Sequence, residues 1–197
     1  MLPLDVMDAE VTTAREDLSA GGWGSAAVEL LGRAMDMFVL TGALKLYRQQ
    51  AGQHVSRQHT MLVLAGERLV DQHQILGRLR RQWDLASFGH GDSRARLKAL
   101  YERDILQHSA TSPQEPHTPE AFEDLLPYIR AAADRMTRVP HLITGADEGW
   151  RELQEDFAHS EVWGVLVAGT KIARELHPAG LTVSFAYPGG GAARPTA

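Results

Sequence analysis

Residues 56–86 read SRQHTMLVLAGERLVDQHQILGRLRRQWDLA, and the reading of this stretch decides the fold. Met61, Leu62, Leu64, Ala65, Leu69, Ile75, Leu76, Leu79 and Trp83 recur with a helical period, which gathers apolar side chains on one side of an α-helix. A helix is therefore expected from about Ser56 to Ala86, weakened by Gly66 and Gly77.

Upstream, Ser25 is placed to cap a long helix that Gly52 closes, with Ala27, Leu30, Leu31, Ala34, Met37, Phe38 and Leu44 on its buried stripe. Residues 5–18 form a shorter helix ahead of the Gly21-Gly22 pair. Downstream, FGHGDS is a turn, and Asp92 or Ser93 caps a helix carrying Leu97, Leu100, Tyr101 and Ile105. SATSPQEPH is a loop. Thr118-Pro119 then opens a further helix with Phe122, Leu125, Leu126, Ile129, Ala132 and Ala133 on one face, and Pro127 should kink it. Helices are also expected near residues 148–157 and 160–176. The run LTVSFAY at 181–187 reads as an edge strand or an extended arm.

The expected fold class is accordingly all-α: an antiparallel bundle of four to five core helices over residues 1–140. A C-terminal helical extension with its arm follows over 141–187, then a disordered tail over 188–197. There is no internal repeat.

Composition narrows the chemistry. At 197 residues and 44% hydrophobic content the chain can bury a core. It has no cysteine, which excludes disulfides, a thiolate zinc site and a cysteine nucleophile. The opening MLPLDVMDAE lacks the basic region of a signal peptide, and no run reaches the ~18 apolar residues of a membrane span. The expected compartment is the cytoplasm, with no membrane partner. A net charge of −5 argues against bulk attraction to DNA. The local clusters Arg78, Arg80, Arg81 and Arg94, Arg96, Lys98 still leave room for a small RNA-handling groove.

Nine histidines invite a metal reading, but no H-E-x-x-H, E-x-x-H or i, i+4 histidine pair puts two ligands on one helical face. No metal and no other cofactor is expected. No G-x-S-x-G is present, and the glycine-rich segments match no phosphate loop.

The remaining candidate is Tyr101-Glu102-Arg103-Asp104-Ile105-Leu106-Gln107-His108. Arg48 to His54, Arg68 to His73 and Arg135 to His141 have similar spacings, but only Arg103 is followed by Asp. The segment resembles the R-x₄₋₆-H signature of the HEPN family of helical-bundle ribonucleases, and the resemblance extends over about residues 10–137.

That resemblance implies a homodimeric, metal-independent endoribonuclease in defence, toxin–antitoxin or stress response, with an antitoxin protein as a further partner. Arg103 would hold the phosphate and His108 would act as acid and base on the ribose 2′-OH, while Asp104 orients the imidazole. On a regular helix Arg103 and His108 point about 140° apart, so the family's dimer cleft would have to unite them. Toxin-type members carry a tyrosine where this chain has Ala110. The alternative is a non-catalytic helical module that binds a protein or nucleic acid. Trp23, Trp83, Trp150 and Trp163 would be its anchors, or, at these spacings, part of the core.

Overall fold

His59–Ala65 is a β-strand, β1, and not the opening of a helix. The computed structural model describes residues 25–88, 90–107, 118–136, 141–143, 163–169 and 180–186. Three further strands, β2 (His141–Ile143), β3 (Trp163–Gly169) and β4 (Leu181–Ala186), join β1 in one sheet of order β2-β3-β1-β4. Every pairing is parallel. The all-α expectation is therefore wrong: the chain is mixed α/β, and a parallel sheet has no place in a HEPN-type helical bundle.

The reason lies in how parallel strands are buried. A strand covered on both faces does not alternate; it reads as a nearly continuous apolar run. Met61-Leu62-Val63-Leu64-Ala65 is such a run. Met61, Val63 and Ala65 point into the same core as Trp163, Val165, Val167, Val183 and Phe185. On the other face Leu62, Leu166 and Ala168 are buried as well. Followed by the amphipathic segment after Gly66, this run imitates one long helical stripe. The helix expected over residues 160–176 fails for the same reason, since β3 occupies 163–169 with all seven residues buried.

Among the described residues the α-helices are α1 (Ser25–Gln50), α2 (Leu69–Leu85), α3 (Gly91–Leu100) and α4 (Leu126–Arg135). α1 begins at Ser25 as expected and ends before Gly52, whose φ of 77° only glycine adopts at ease. Its burial exceeds a single stripe: Ala34, Met35, Phe38, Val39, Leu40, Ala43 and Leu44 are all buried. A helix apolar around most of its circumference belongs at the centre, and α1 packs on α4, α3 and β4. α2 crosses β1, β2 and β3, burying Gln72, Ile75 and Leu79. α3 runs on into a π-helical turn, Tyr101–Leu106.

Pro127 does not kink a helix. A 3-10 turn (Phe122–Leu125) comes first, and Pro127 lies in the first turn of α4, where its missing N–H costs nothing. The N-cap positions of the 3-10 turn and of α4 fall to Ala121 and Leu125, and the Thr118 hydroxyl accepts from Arg48 at 3.2 Å. The edge strand read at 181–187 is present as β4. The segments 5–18, 108–117, 148–157 and 188–197 lie outside the described residues.

At the amino end of the sheet α1 is locked to β1 by a polar knot. His59 is fully buried, stacked on Phe38 with ring centres 4.3 Å apart and tilted 4.8 Å from Trp163. Its Nε2 lies 2.8 Å from the Phe38 carbonyl. A carbonyl only accepts, so Nε2 carries the proton; Nδ1 lies 3.0 Å from the Thr182 hydroxyl, whose single proton is also within reach of Gly180 O at 2.9 Å. Lys45 Nζ donates to Gln58 O at 2.7 Å and to Thr182 Oγ1 at 3.3 Å. Burial pushes the Lys45 ammonium down to about 8. Burial, with the nearby Lys45 charge, pushes the His59 imidazole down to about 3, against the Phe38 hydrogen bond. Gly42 makes the approach feasible: a Cβ there would stand 2.9 Å from Trp163 and 3.1 Å from His59 Nε2.

Candidate functional site

Open parallel sheets hold ligands beyond the carboxyl ends of their strands, beside neighbours whose onward connections run in opposite directions. β1 and β3 are such a pair. The chain leaves β1 for β2 on one side and leaves β3 for β4 on the other. Between their carboxyl ends lie Gly66, Glu67, the start of α2 and Gly169.

α2 starts only three residues beyond β1. Arg68 holds the N-cap position in extended geometry (φ −77°, ψ 129°), and no side chain caps the helix. The Asp71 amide donates to Arg68 O at 3.0 Å, which leaves the Leu69 and Val70 amides and the positive end of the helix dipole at this edge, an arrangement that attracts anions. Arg68 is exposed and folds onto Asp71 with bonds of 2.9 and 3.0 Å. Only the arginine side of this pair is open to solvent, which screens it, so an incoming anion can compete for the guanidinium.

Gln72 sits beneath, 4% exposed. Its amide donates to Gly66 O at 3.0 Å, while its Oε1 is buried without a partner. A buried acceptor left unmade costs on the order of 1–3 kcal/mol, a cost that a donor on a bound molecule would relieve. Gly169 keeps the floor clear, since a Cβ there would lie 3.0 Å from Gln72 Nε2 and 3.2 Å from Glu67 Oε2. Leu69 (52%) and Val70 (55%) stand exposed at the mouth and offer an apolar ledge.

The residues singled out from the sequence lie elsewhere. Arg103 and Asp104 sit on the π-helical turn, a rare geometry that often marks functional positions. They bind one another in a fork of 2.6 and 2.7 Å. Arg103 is about half exposed, with Asp104 largely covered. His108 lies outside the described residues, so the structure brings Arg103 and Asp104 together and leaves His108 unplaced. Tyr101, from the same motif, is core: its hydroxyl donates to Pro119 O, and burial pushes it up to about 12. Trp163 is also core, donating to Arg57 O at 2.8 Å, and Trp83 packs on Phe88.

The carboxyl-edge residues escaped the sequence reading because backbone amides and glycines carry no side-chain signature. The signal that was available is the order apolar run, glycine, short turn, helix in LVLAGERLVDQ. No described helix is long and apolar enough to cross a membrane.

No curated protein and no solved structure matches the chain. One family model does, that of the Z1 domain, over residues 30–188. That match runs from α1 through β4 and displaces the HEPN resemblance, which stopped near residue 137 and took in only one of the four described strands.

Proposed function

We propose that this chain, which belongs to the Z1 domain family, binds a nucleoside-phosphate group at the carboxyl edge of its sheet, either as a free nucleotide or within a nucleic-acid strand. The observation that carries the reading is the uncapped start of α2 set over the buried, unpartnered oxygen of Gln72. Phosphate oxygens take the Leu69 and Val70 amides and compete with Asp71 for Arg68. The sugar or base lies on the Leu69–Val70 ledge and donates an O–H or N–H to Gln72. Arg68 supplies a cation at this edge and Glu67 and Asp71 stand beside it, so phosphate recognition rests on the helix amides more than on net charge.

Leu69→Pro tests this with little collateral damage. Proline at the first helical position removes an amide that the helix does not use, and the extended Arg68 before it is the conformation proline demands of its predecessor. Thermal stability should stay near that of the wild type. Affinity for a fluorescent adenine nucleotide, or for a labelled single-stranded oligonucleotide, should fall about tenfold, the worth of one charge-assisted hydrogen bond. Gly169→Val, which fills the floor, should weaken binding further. The ligand that binds the wild type distinguishes nucleotide from strand. Binding of neither, or binding untouched by both variants, refutes the reading.

A second reading keeps metal-independent RNA cleavage through Arg103, Asp104 and His108, and it would also call for a second copy of the chain. The half-exposed guanidinium of Arg103, fixed by Asp104, favours it. It predicts RNA cleavage in the absence of divalent metal that falls at least a hundredfold in His108→Ala, the usual range for loss of a general acid–base. Equal cleavage by both proteins, or none by either, removes this reading.

A further inference from the structure

Away from the sheet edge, α1, the end of α2 and α3 enclose a cleft of about 660 Å³. That volume falls within the range of small-molecule sites. Its walls are mainly apolar, from Val28, Met35, Leu85, Phe88, Ala99 and Leu100. Glu29, Arg33, Asp36, Gln82, Arg96 and Arg103 break the apolar lining, and two features among them are held in place by partners.

The first is Arg96. Asp36, only 2% exposed, grips its guanidinium through Nε and Nη2 at 2.5 and 3.0 Å. Two of the five N–H donors of an arginine are used in this way, and the group is held in a fixed orientation with about half its surface in solvent. A buried carboxylate that orients a half-exposed arginine makes a preformed anion clamp. The second feature is Gln82. It lines the cleft; its Nε2 donates to Val28 O at 2.8 Å, and its Oε1 is buried behind the surface without a partner. Gly32 leaves the floor open, because a Cβ there would come no closer than 4.0 Å to Gln82.

We propose that this cleft binds a small amphiphilic anion: an apolar body, an acidic group on Arg96, and an N–H or O–H donor to Gln82. Asp36 acts as a positioning residue for Arg96. Glu29 at the exposed rim repels the acidic group and so orients the ligand with its charge toward Arg96. The site is independent of the sheet edge.

The probe is 8-anilinonaphthalene-1-sulfonate, which carries an aromatic body, a sulfonate and an N–H. Its uncharged relative N-phenyl-1-naphthylamine serves as the comparison. With the full chain, the sulfonate should give a saturable fluorescence rise at one site. Gly32→Leu fills the cleft from a helical position where leucine is a better residue than glycine, so it should keep or raise the melting temperature and weaken both probes at least tenfold. Arg96→Lys keeps a charge beside Asp36 but loses the fork, and it should weaken the sulfonate about tenfold while leaving the uncharged probe unchanged. A folded Gly32→Leu that binds both probes like the wild type overturns the site. Equal loss of both probes in Arg96→Lys overturns its assignment to anions. Should Arg96→Lys fail to fold, Gly32→Leu together with the wild-type preference for the sulfonate decides, and no such preference counts against the proposal.

Discussion

Gly180→Ala is expected to destabilise the protein by about 3 kcal/mol, combining a left-handed backbone cost of ~1–2 with an overpacking cost of ~1–3. Gly180 has φ +69°, and a Cβ built on it falls 2.4 Å from the Gln58 carbonyl oxygen and 2.6 Å from its carbon. Neither backbone can easily retreat. Thr60 N donates to Gly180 O at 3.0 Å, and this bond sits where the β1–β4 register shifts between Thr60 and Met61. At this chain length the loss corresponds to a fall of roughly 6–12 °C in melting temperature. Gly77→Ala is the control, in the same amino-acid exchange but on open helix surface with nothing within 4 Å of the new Cβ; it should gain up to ~1 kcal/mol. Opposite signs in a urea-unfolding comparison support the β1–β4 junction described here, and equal stability of Gly180→Ala and wild type contradicts it.

The second large effect is acid lability from His59. The folded state holds this imidazole at about 3, whereas the unfolded chain protonates near the ordinary 6.5. The unfolded state therefore binds the extra proton first. The stability that depends on a neutral His59 is complete above pH ~6.5 and is lost as pH falls from there toward ~3, at about 1.4 kcal/mol per unit. Unfolding midpoints in urea at pH 7.5, 6 and 5 should fall steeply. In His59→Gln, which can still donate to the Phe38 carbonyl, the starting stability is lower and the slope across this window should shrink by about one proton. An unchanged slope would mean that some other group governs the acid transition.

How much of this was legible in the sequence depends on what each residue faces. α1 could be read because its apolar residues repeat with a helical period and a glycine of positive φ closes it. β4 could be read because it is an edge strand with a half-exposed pattern, so Leu181 is open while Val183 and Phe185 are buried. β1 and β3 could not, since burial on both faces erases alternation and leaves apolar runs that fit a helix equally well. The cue was punctuation: Gly66 directly after Met61–Ala65, and Gly164 and Gly169 within WGVLVAG. The sheet edge was further out of reach, because it assembles Gly169 with Gln72, about a hundred residues apart, and uses backbone amides as its donors. Arg96 and Asp36 pair across 60 residues, which no local motif announces. The motif at Arg103 drew attention through its side chains alone, and the structure returns it as an adjacent Arg–Asp fork.

The most direct test follows backbone and side-chain amide signals by NMR while the adenine nucleotide, and separately the oligonucleotide, is titrated into the 197-residue chain. Saturable shifts should centre on Leu69, Val70, the Gln72 side-chain amide and Gly169, with the helix ends elsewhere undisturbed. Silence at these positions under saturating ligand, or shifts confined to the α1–α3 cleft, would contradict the assignment of phosphate recognition to the carboxyl edge of the sheet.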